Sequence, residues 1–308
     1  RDLHRLIRRQ RQMCIRDSLE NVRFLEEETK KLGIEEHSKS KLVQTLAKYF
    51  DFFINDAFSV SHRSHASVVG FCLVLPSLAG RVMEKELTSE ERALNPLGLN
   101  VFVLGGAKPE DCMEVIEYML KERPGSVERF LTGGILSLIF LKAKGFDLGK
   151  ETENFLKEKG FEKLLPKAKE LIEKYEKEIV LPKAVAYEEN GRKEVYVEEL
   201  PVEKRILDVG TETALKYGEI IRGSRTVVVK GPLGVYEKKG FEVGTKILLE
   251  EIANSNVYSL IGGGDTGVAI EKLGIDREKF SYISLGGGAL ITSLSGKPMP
   301  GIEALKLS

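Results

Sequence analysis

Short apolar runs alternate with helical segments along the chain from residue 100 onward. The pattern predicts strands at Asn100–Leu104 and Val127–Leu131, each followed by a helix, at Pro109–Glu122 and Ile135–Lys144. Regular alternation of this kind is typical of βαβ units. It therefore predicts a parallel sheet.

The same alternation resumes after residue 200. Predicted strands lie at Ile206–Val209, Arg225–Val229, Val257–Ile261 and Tyr282–Leu285, and predicted helices at Glu212–Ile221, Val243–Asn254 and Val268–Leu273. The strand that contains Thr226–Val229 does not alternate between apolar and polar residues, as expected where helices cover both faces of a sheet. The chain is therefore predicted to be an α/β protein with a doubly wound domain.

Three segments interrupt this alternation. Ala79–Leu97 is helix-rich and charged, with Pro96 near its end, and is predicted to be an interdomain helix. Pro182–Pro201, with Glu189–Arg192 at its turn, is predicted to be a β-hairpin that leaves the sheet. Phe155–Lys177 has lysine and glutamate at helical spacing and is interpreted as a solvated helical face. No chemistry is assigned to the hairpin or to this helical segment.

Glycine follows five of the predicted strands. The turns are Gly105-Gly106-Ala107-Lys108, Thr132-Gly133-Gly134, Lys230-Gly231-Pro232-Leu233-Gly234, Gly262-Gly263-Gly264 and Gly286-Gly287-Gly288. Open parallel sheets bind ligands outside the carboxyl ends of their strands, and glycine lets the backbone approach a ligand closely. Any one pair could simply make a tight turn from strand to helix. Five at one predicted edge favour a shared site.

Asp265 is the first side chain after the glycine turn that ends at Gly264. The helix that follows directs free N–H groups and its positive dipole end toward the ligand, which suits phosphate. A carboxylate at this position would repel phosphate unless Mg²⁺ lay between them. Asp265 therefore predicts a metal-nucleotide site and favours phosphoryl transfer.

Two other nucleotide motifs are disfavoured. Gly262, Gly264 and Gly267 match the spacing of a dinucleotide fingerprint, but the next predicted strand does not end in the acidic residue that would bind a ribose. The sequence has no P-loop, which would place Gly-Lys-Ser/Thr after a glycine-rich run.

Lys108 could reach a transferring phosphoryl group as a point charge, although a lysine after a turn is more often exposed.

The first half of the chain contains a basic cluster, His62, Arg63 and His65, among small polar residues. Guanidinium groups match the oxygen geometry of phosphate and carboxylate, so the cluster predicts a site for a multiply charged anion. In the alternative interpretation the histidines are structural and Arg63 forms a surface ion pair. Spacing alone leaves both open.

Composition narrows the classes of partner. The 308 residues suffice for two domains. Lys plus Arg equals Asp plus Glu at 47 each, so no global field attracts nucleic acid or an anionic membrane. Three widely spaced cysteines form neither a disulfide framework nor a metal cluster and predict a reducing cytoplasm. The most apolar stretch, Val68–Leu75, is far shorter than the roughly 20 residues that span a bilayer.

Several motifs resemble those of phosphoglycerate kinases and occur in the same order along the chain. The residues within these motifs resemble those of the archaeal branch of the family. They are Leu19–Phe24, Phe53–Gly70, Leu104–Lys108, Gly231–Glu237, Phe241–Thr245, Ile261–Thr266, Gly286–Ala289 and Gly296–Ala304. The resemblance implies two Rossmann-like lobes with parallel sheets, joined by a hinge helix. The N-terminal lobe would bind 3-phosphoglycerate or 1,3-bisphosphoglycerate, and the C-terminal lobe ADP or ATP with Mg²⁺.

The resemblance also implies the reaction, reversible transfer of the acyl phosphate of 1,3-bisphosphoglycerate to ADP in glycolysis or gluconeogenesis. The implied triose-phosphate ligands are Arg23, Arg63 and, beside it, His62. The implied catalytic groups are Lys108, Arg23 and the amides of Gly287 and Gly288. The implied nucleotide-binding residues are Gly105, Lys108, Gly133, Gly134, Pro232, Gly234, Val235, Glu237, Gly262, Gly263, Gly264, Asp265 and Thr266. Within this set, Glu237 would bind the ribose and Asp265 would hold Mg²⁺ through the nucleotide phosphates.

The implied organisation has five parts. They are a lead-in unlike the family (residues 1–17), a partial N-terminal lobe (18–78), a hinge helix (79–97), a nucleotide-binding lobe (98–288) and a tail that returns to the first lobe (289–308). The lead-in carries six arginines against two aspartates. The partners implied are small molecules, without nucleic acid or membrane, and the protein is expected to be a monomer.

Three positions depart from the family pattern. Many relatives have a second lysine where this chain has Cys112, an asparagine where it has Lys230, and a threonine or serine where it has Leu285. A lysine near nucleotide phosphate would replace lost charge, so we hypothesise that Lys230 compensates for Cys112.

The family's opening strand with Asp-x-Asn, and a His-x-Gly-Arg segment, would precede Leu19 and do not occur in this sequence. The N-terminal lobe is therefore expected to be incomplete by roughly the first quarter of a typical chain, with exposed strand edges. The 308-residue chain is expected to bind MgATP weakly and to turn over little or not at all. The alternative is an inactive nucleotide-binding relative that acts as an interaction protein.

Overall fold

Eleven strands form three sheets in the computed structural model, which describes residues 18–95 and 98–308. The strands are β1 (Phe53–Asn55), β2 (Ser77–Ala79), β3 (Asn100–Leu104), β4 (Arg129–Thr132), β5 (Ile179–Val180), β6 (Ala184–Glu188), β7 (Arg192–Tyr196), β8 (Ile206–Val209), β9 (Thr226–Lys230), β10 (Tyr258–Gly262) and β11 (Tyr282–Ile283). The predicted lead-in, residues 1–17, lies outside the described residues, as do Pro96 and Leu97.

The α-helices vary from one to four turns. They span Ile34–Ser38, Lys41–Leu46, Ala66–Val69, Arg81–Leu94, Pro109–Glu122, Gly134–Ala143, Lys150–Glu158, Leu165–Lys174, Thr211–Arg222, Val243–Ala253, Gly264–Lys272, Gly288–Leu294 and Pro300–Leu305. Short 3₁₀ turns lie at Val22–Phe24, Ala47–Tyr49, Phe58–Val60, Gly70–Leu73, Phe161–Leu164, Val197–Glu199 and Arg277–Lys279. No helix in the described parts of the chain is long and apolar enough to cross a membrane.

The central sheet is parallel throughout, in the order β11-β10-β9-β3-β4-β5. Every residue of β3 and β9 is buried. Phe102 and Leu104 pack into the core on one face of the sheet, and Val101 and Val103 into the core on the other. Because both faces are covered, these strands need apolar residues at consecutive positions, and the predicted doubly wound architecture is confirmed.

The hairpin predicted between residues 182 and 201 is confirmed as β6 and β7, with Asn190 and Gly191 at positive φ in the turn. The prediction that Ile206–Val209 belongs to the parallel sheet is wrong. This strand, β8, instead pairs antiparallel with β6 in a separate three-stranded sheet of order β7-β6-β8. Its apolar residues report burial but do not specify the neighbouring strand.

Other boundaries also differ from prediction, most of them by one or two residues, as where the strand predicted at Val127–Leu131 spans Arg129–Thr132. The helix predicted at Val268–Leu273 begins at Gly264, so Asp265 lies in its first turn. The strand predicted at Tyr282–Leu285 ends at Ile283. The segment interpreted as a solvated helical face forms two amphipathic helices whose inner sides, including Leu156 and Leu171, are buried in the core.

The first lobe is small. Its two strands, β1 and β2, are parallel, and Val68, Val69 and Cys72 form a separate apolar cluster. Ala304, in the helix Pro300–Leu305, completes that cluster. This helix, called the tail helix below, packs on the first lobe although it follows the central sheet in sequence.

The helix Arg81–Leu94, called the hinge helix below, is held by hydrogen bonds at two positions along its length. At its start, Asp56 Oδ1 accepts hydrogen bonds from the N–H groups of Val82 (2.6 Å) and Met83 (3.0 Å). Further along, the buried Glu86 carboxylate accepts hydrogen bonds from Ser284 Oγ and the Leu285 N–H, both at 2.7 Å. The hinge helix therefore links the end of β1 in the first lobe to the end of β11 in the central sheet.

Candidate functional site

The glycine turns at the carboxyl edge of the central sheet are hydrogen-bonded to one another. The Gly106 N–H donates to Pro232 O (2.8 Å), and the Gly134 N–H donates to Leu233 O (2.7 Å). A Cβ atom at Gly105 would lie 2.3 Å from Pro232 O, so only glycine allows the turns after β3 and β9 to approach this closely. Three of the five predicted turns thus form one continuous backbone surface.

A cavity of about 420 Å³ opens against that surface. Its lining includes six of the thirteen predicted nucleotide-binding residues: Gly134, Pro232, Gly234, Val235, Glu237 and Asp265. Gly105 and Gly133 do not line it themselves but lie directly behind it, where a Cβ at Gly133 would meet Leu233 at 2.4 Å. A half-open, mainly apolar cavity of this size suits the base and ribose of a nucleotide.

Sequence reasoning missed the far wall of this cavity. That wall is formed by Ile135, Leu138, Phe155, Lys159, Phe161 and Arg205. The Arg205 guanidinium lies 3.5 Å from the centre of the Phe155 ring, and its buried Nε has no hydrogen-bond partner among the described residues. Two phenylalanines six positions apart, in a segment otherwise rich in lysine and glutamate, were the signal that could have identified this wall.

Asp208, also missed, supports the turn that contains Gly234. Its carboxylate accepts hydrogen bonds from the Gly244 N–H (2.8 Å), its neighbour's N–H and Arg192 Nη1 (2.9 Å). Burial raises the pKa of Asp208 to about 6, against the lowering effect of these donors. A Cβ at Gly234 would lie 2.2 Å from Asp208 Oδ1, so the carboxylate fixes the position of the turn.

The β10 end of the site contains Gly262, Gly263, Gly264, Asp265 and Thr266. Asp265 is exposed and has no hydrogen bond or ion pair with any described residue. The Thr266 hydroxyl is buried and accepts a hydrogen bond from the Gly231 N–H (3.0 Å), so it joins this turn to the one after β9. Gly263, at φ 89°, makes the left-handed step into the helix.

No group of three or more potential metal ligands occurs in residues 18–95 and 98–308. A protein cage for a cation is therefore not present there. A single free carboxylate, Asp265, fits the way Mg²⁺ is usually held with a nucleotide, through one or two carboxylates and the phosphate oxygens. The residues present thus fit a metal that arrives with the nucleotide.

Lys108 and Lys230 lie on opposite sides of the turn after β3. The Lys108 side chain is exposed, whereas Lys230 is buried at the end of β9. Lys230 Nζ donates to Lys108 O and to Cys112 Sγ, both at 3.2 Å. The two positions that depart together from the family pattern, residues 112 and 230, are therefore in direct contact.

The basic cluster of the first lobe lies against the turn Gly286-Gly287-Gly288. His62 Nε2 accepts a hydrogen bond from Arg63 Nε (3.2 Å) and lies 3.8 Å from where a Cβ of Gly288 would be. Partial burial, and then Arg63, lower the pKa of His62. Gly287, at φ 51°, exposes its backbone beside this cluster.

Arg23 is exposed on the first lobe, where Asn21 Oδ1 accepts a hydrogen bond from its N–H (3.1 Å). Partial burial lowers the pKa of His65, Glu28 raises it, and Arg23 and Arg63 lower it further. The two arginines thus act on the same part of the lobe. Neither lines the nucleotide cavity, so the structure separates the predicted triose-phosphate residues from the predicted adenosine residues.

Comparison with known proteins identifies the family. The profile described as phosphoglycerate kinase matches residues 10–297. Phosphoglycerate kinase 1 of Methanosarcina acetivorans is 42% identical over 293 residues, which cover 94% of this chain and 69% of the relative. The phosphoglycerate kinase of Methanopyrus kandleri is 42% identical over 289 residues, covering 93% and 70%.

Comparison with solved structures points to the same family as the sequence comparison. The crystal structure of phosphoglycerate kinase from Pyrococcus horikoshii superposes with a TM-score of 0.86 at 37% identity, covering 93% of this chain and 71% of that one. The structure of phosphoglycerate kinase from Coxiella burnetii gives 0.79 at 30% identity, with the same coverage. These similarities extend over both lobes and the hinge helix, and the chain belongs to the phosphoglycerate kinase family.

Proposed function

We propose that this protein catalyses the reversible transfer of a phosphoryl group between 1,3-bisphosphoglycerate and ADP. In the ATP-forming direction, the bond from phosphorus to the carboxyl oxygen of the acyl phosphate breaks. A terminal oxygen of the ADP β-phosphate bonds to that phosphorus, and 3-phosphoglycerate leaves as a carboxylate. The reaction needs positioning and charge stabilisation and no covalent help from the protein.

One observation carries this proposal: the first lobe's basic cluster meets the glycine turn after β11, with His62 Nε2 3.8 Å from the Cβ position of Gly288. An anionic triose phosphate on Arg23, His62 and Arg63 would present its carboxyl end to the amides of Gly287 and Gly288. Backbone N–H groups there would stabilise charge that develops on the transferring group.

The other substrate would bind in the 420 Å³ cavity. Gly134, Pro232, Gly234 and Val235 would contact the adenosine, Gly105 and Gly133 would support that surface from behind, and Glu237 would accept hydrogen bonds from the ribose. Gly262, Gly263, Gly264 and Thr266 would position the phosphates by backbone and hydroxyl contacts. Lys108 is free to reach the transferring group because its side chain is exposed.

Asp265 would hold Mg²⁺ together with the nucleotide phosphates. The ion, when bound, would neutralise phosphate charge. Asp265 itself would orient the phosphate chain, because it lies at the start of a helix whose free N–H groups face the same ligand.

We also propose the finer organisation predicted from the sequence: a triose-phosphate lobe over residues 18–78, a hinge over 79–97, a nucleotide lobe over 98–288 and a tail over 289–308. Closure about the hinge helix would align the two substrates and exclude water. The enzyme would be of the archaeal type and work as a cytoplasmic monomer, and the free thiols of Cys72 and Cys112 fit a reducing cytoplasm.

The test is 3-phosphoglycerate-dependent formation of ADP from MgATP by the purified chain, measured with a sensitive discontinuous assay. Arg63→Met should raise the KM for 3-phosphoglycerate at least tenfold and leave MgADP affinity unchanged. Lys48→Met, which removes an exposed charge elsewhere on the first lobe, is the matched control. ATP consumption that is indifferent to 3-phosphoglycerate would contradict the proposal.

The second candidate is an inactive nucleotide-binding protein. It is favoured by the well-formed nucleotide cavity, which depends on residues of the nucleotide lobe alone. Undiminished MgADP binding with no detectable phosphoryl transfer in the same assay would support this candidate over the kinase.

A further inference from the structure

Lys230 is a buried cation at the middle of the sheet edge. Only 10% of its side chain is exposed. In the strand register it pairs with Leu104 on one side and Gly262 on the other. Lys230 thus lies between the turn that leads to Lys108 and the turn that leads to Asp265, where the nucleotide phosphates are proposed to bind.

The protein neutralises this charge only in part. Two of the three ammonium N–H groups have acceptors, Lys108 O and Cys112 Sγ, and both acceptors are uncharged. Burial raises the pKa of the Cys112 thiol, with Lys230 opposing that effect, so the sulfur stays protonated. Asp111, the nearest carboxylate, is 4.0 Å away and 39% exposed.

The surroundings make an unneutralised cation costly. Lys230 approaches the first turn of the helix Pro109–Glu122, whose dipole is positive at that end and disfavours a cation. A buried charge without a close counter-ion is destabilising. An anion shared by the ammonium and the helix N-terminus would remove both penalties.

We propose that Lys230 is a further catalytic residue, which binds the phosphoryl group in transfer with its third N–H, while the small neutral side chain of Cys112 leaves space for the ammonium. This inference rests on the proposed function. Lys230 does not line the adenosine cavity, so its contribution falls on the phosphate end of the nucleotide. During transfer it would stabilise the charge on the phosphoryl oxygens as a fixed point charge.

The test measures how binding depends on the number of phosphates. Adenosine, AMP, ADP and a non-hydrolysable ATP analogue, each with Mg²⁺, are titrated by calorimetry into the wild type and into Lys230→Met, which keeps the side-chain length and removes the charge. We expect adenosine affinity to change less than twofold and affinity for the ATP analogue to fall at least tenfold. Where turnover is measurable, kcat should fall about 10²-fold, as for loss of one preorganised donor.

Two further variants separate charge from structure. Lys142→Met removes a half-buried lysine that pairs with Glu153 at the far end of the helix Gly134–Ala143 and should leave the whole series unchanged. Adding Cys112→Lys to Lys230→Met returns the charge to the same pocket from the helix side and should restore at least part of the lost analogue affinity.

Equal loss of affinity for adenosine and the analogue, or no loss for either, would overturn the proposal and leave Lys230 a structural residue. Both outcomes are read from binding alone. Failure of the kinase function would instead appear as absent 3-phosphoglycerate-dependent turnover in the wild type, with the phosphate dependence of binding still measurable.

Discussion

At the scale of single residues, Asp265 is the simplest to test because its carboxylate is exposed and has no partner among the described residues. Asp265→Asn should therefore leave the unfolding temperature unchanged. Because an amide is a poorer Mg²⁺ ligand than a carboxylate, we expect MgADP affinity to fall about tenfold or more. Calorimetry with Mg²⁺ and again with EDTA measures this, and the metal-free affinity should not fall. Equal weakening under both conditions would contradict a metal-linked role.

Gly234 tests the support of the nucleotide cavity. In Gly234→Ala, the new Cβ would lie 2.2 Å from Asp208 Oδ1, and Asp208 is held by three donors and cannot move freely. We expect a loss of about 1–3 kcal/mol in the free energy of unfolding, measured by urea denaturation, together with weaker ADP binding. Gly267→Ala is the control, because its Cβ meets open space inside a helix, and it should be neutral or stabilising by about 0.5–1 kcal/mol.

The residues of the glycine turns could be predicted from the sequence, but the residues of the opposite cavity wall could not. Asp265 and Gly234 were predictable because their position after a strand end already places them at the ligand edge. Phe155 comes from the helix Lys150–Glu158 and Arg205 from the residue just before β8, on the other side of the cavity, and only tertiary packing brings them there. The spacing of apolar and polar residues in the sequence indicates whether such side chains are buried or exposed, but it does not indicate which cavity they face.

At the scale of secondary structure, the hinge helix contains a buried acid whose ionisation opposes folding. Glu90 accepts a hydrogen bond from Ser293 Oγ, and its Oε2 has no partner among the described residues. Burial raises the pKa of Glu90 from 4.5 to about 7, partly offset by the Ser293 hydrogen bond. Between these two values the folded protein holds a proton that the unfolded chain has lost.

The free energy of unfolding of the wild type should therefore fall as the pH rises from 4.5 to 7. In Glu90→Gln this contribution is absent, so the variant should gain stability relative to the wild type over that window, by up to ~3 kcal/mol. Urea denaturation at several pH values measures the difference. Glu91→Gln, at the exposed neighbouring position, should track the wild type, and parallel curves for all three proteins would refute the assignment.

Elements with a strong local pattern were predictable to within a residue or two. β3 and the helix Pro109–Glu122 have the predicted bounds because each coincides with one unbroken apolar or amphipathic run. β8 was assigned to the wrong sheet because strand pairing depends on which edge is free, and a four-residue run does not encode its neighbour. The helix that begins at Gly264 was predicted to begin later, because glycine is unfavourable in a helix. Glycine is tolerated at this helix start because the turn before it requires glycine.

At the scale of the whole molecule, the two lobes are joined twice, by the hinge helix and by the tail helix. The Gly301 N–H donates to Ser61 O (2.8 Å), immediately before His62 in the basic cluster. Ala304 of the tail helix is fully buried with Val68 and Val69. The tail is therefore part of the first lobe's core and is coupled to the position of the triose-phosphate cluster.

Ala304→Asp tests this coupling. A carboxylate in that apolar cluster has no partner, and burying it should cost about 2 kcal/mol or more. We expect the first lobe to unfold at a lower urea concentration, seen as a separate early transition, and 3-phosphoglycerate binding to be lost. MgADP affinity should be retained, because the nucleotide cavity depends on the other lobe. Lys306→Asp, which places the same side chain at an exposed position of the tail, should show one unchanged transition. If Ala304→Asp also abolished MgADP binding, the two lobes would be one cooperative unit and the proposed division of the site between them would be wrong.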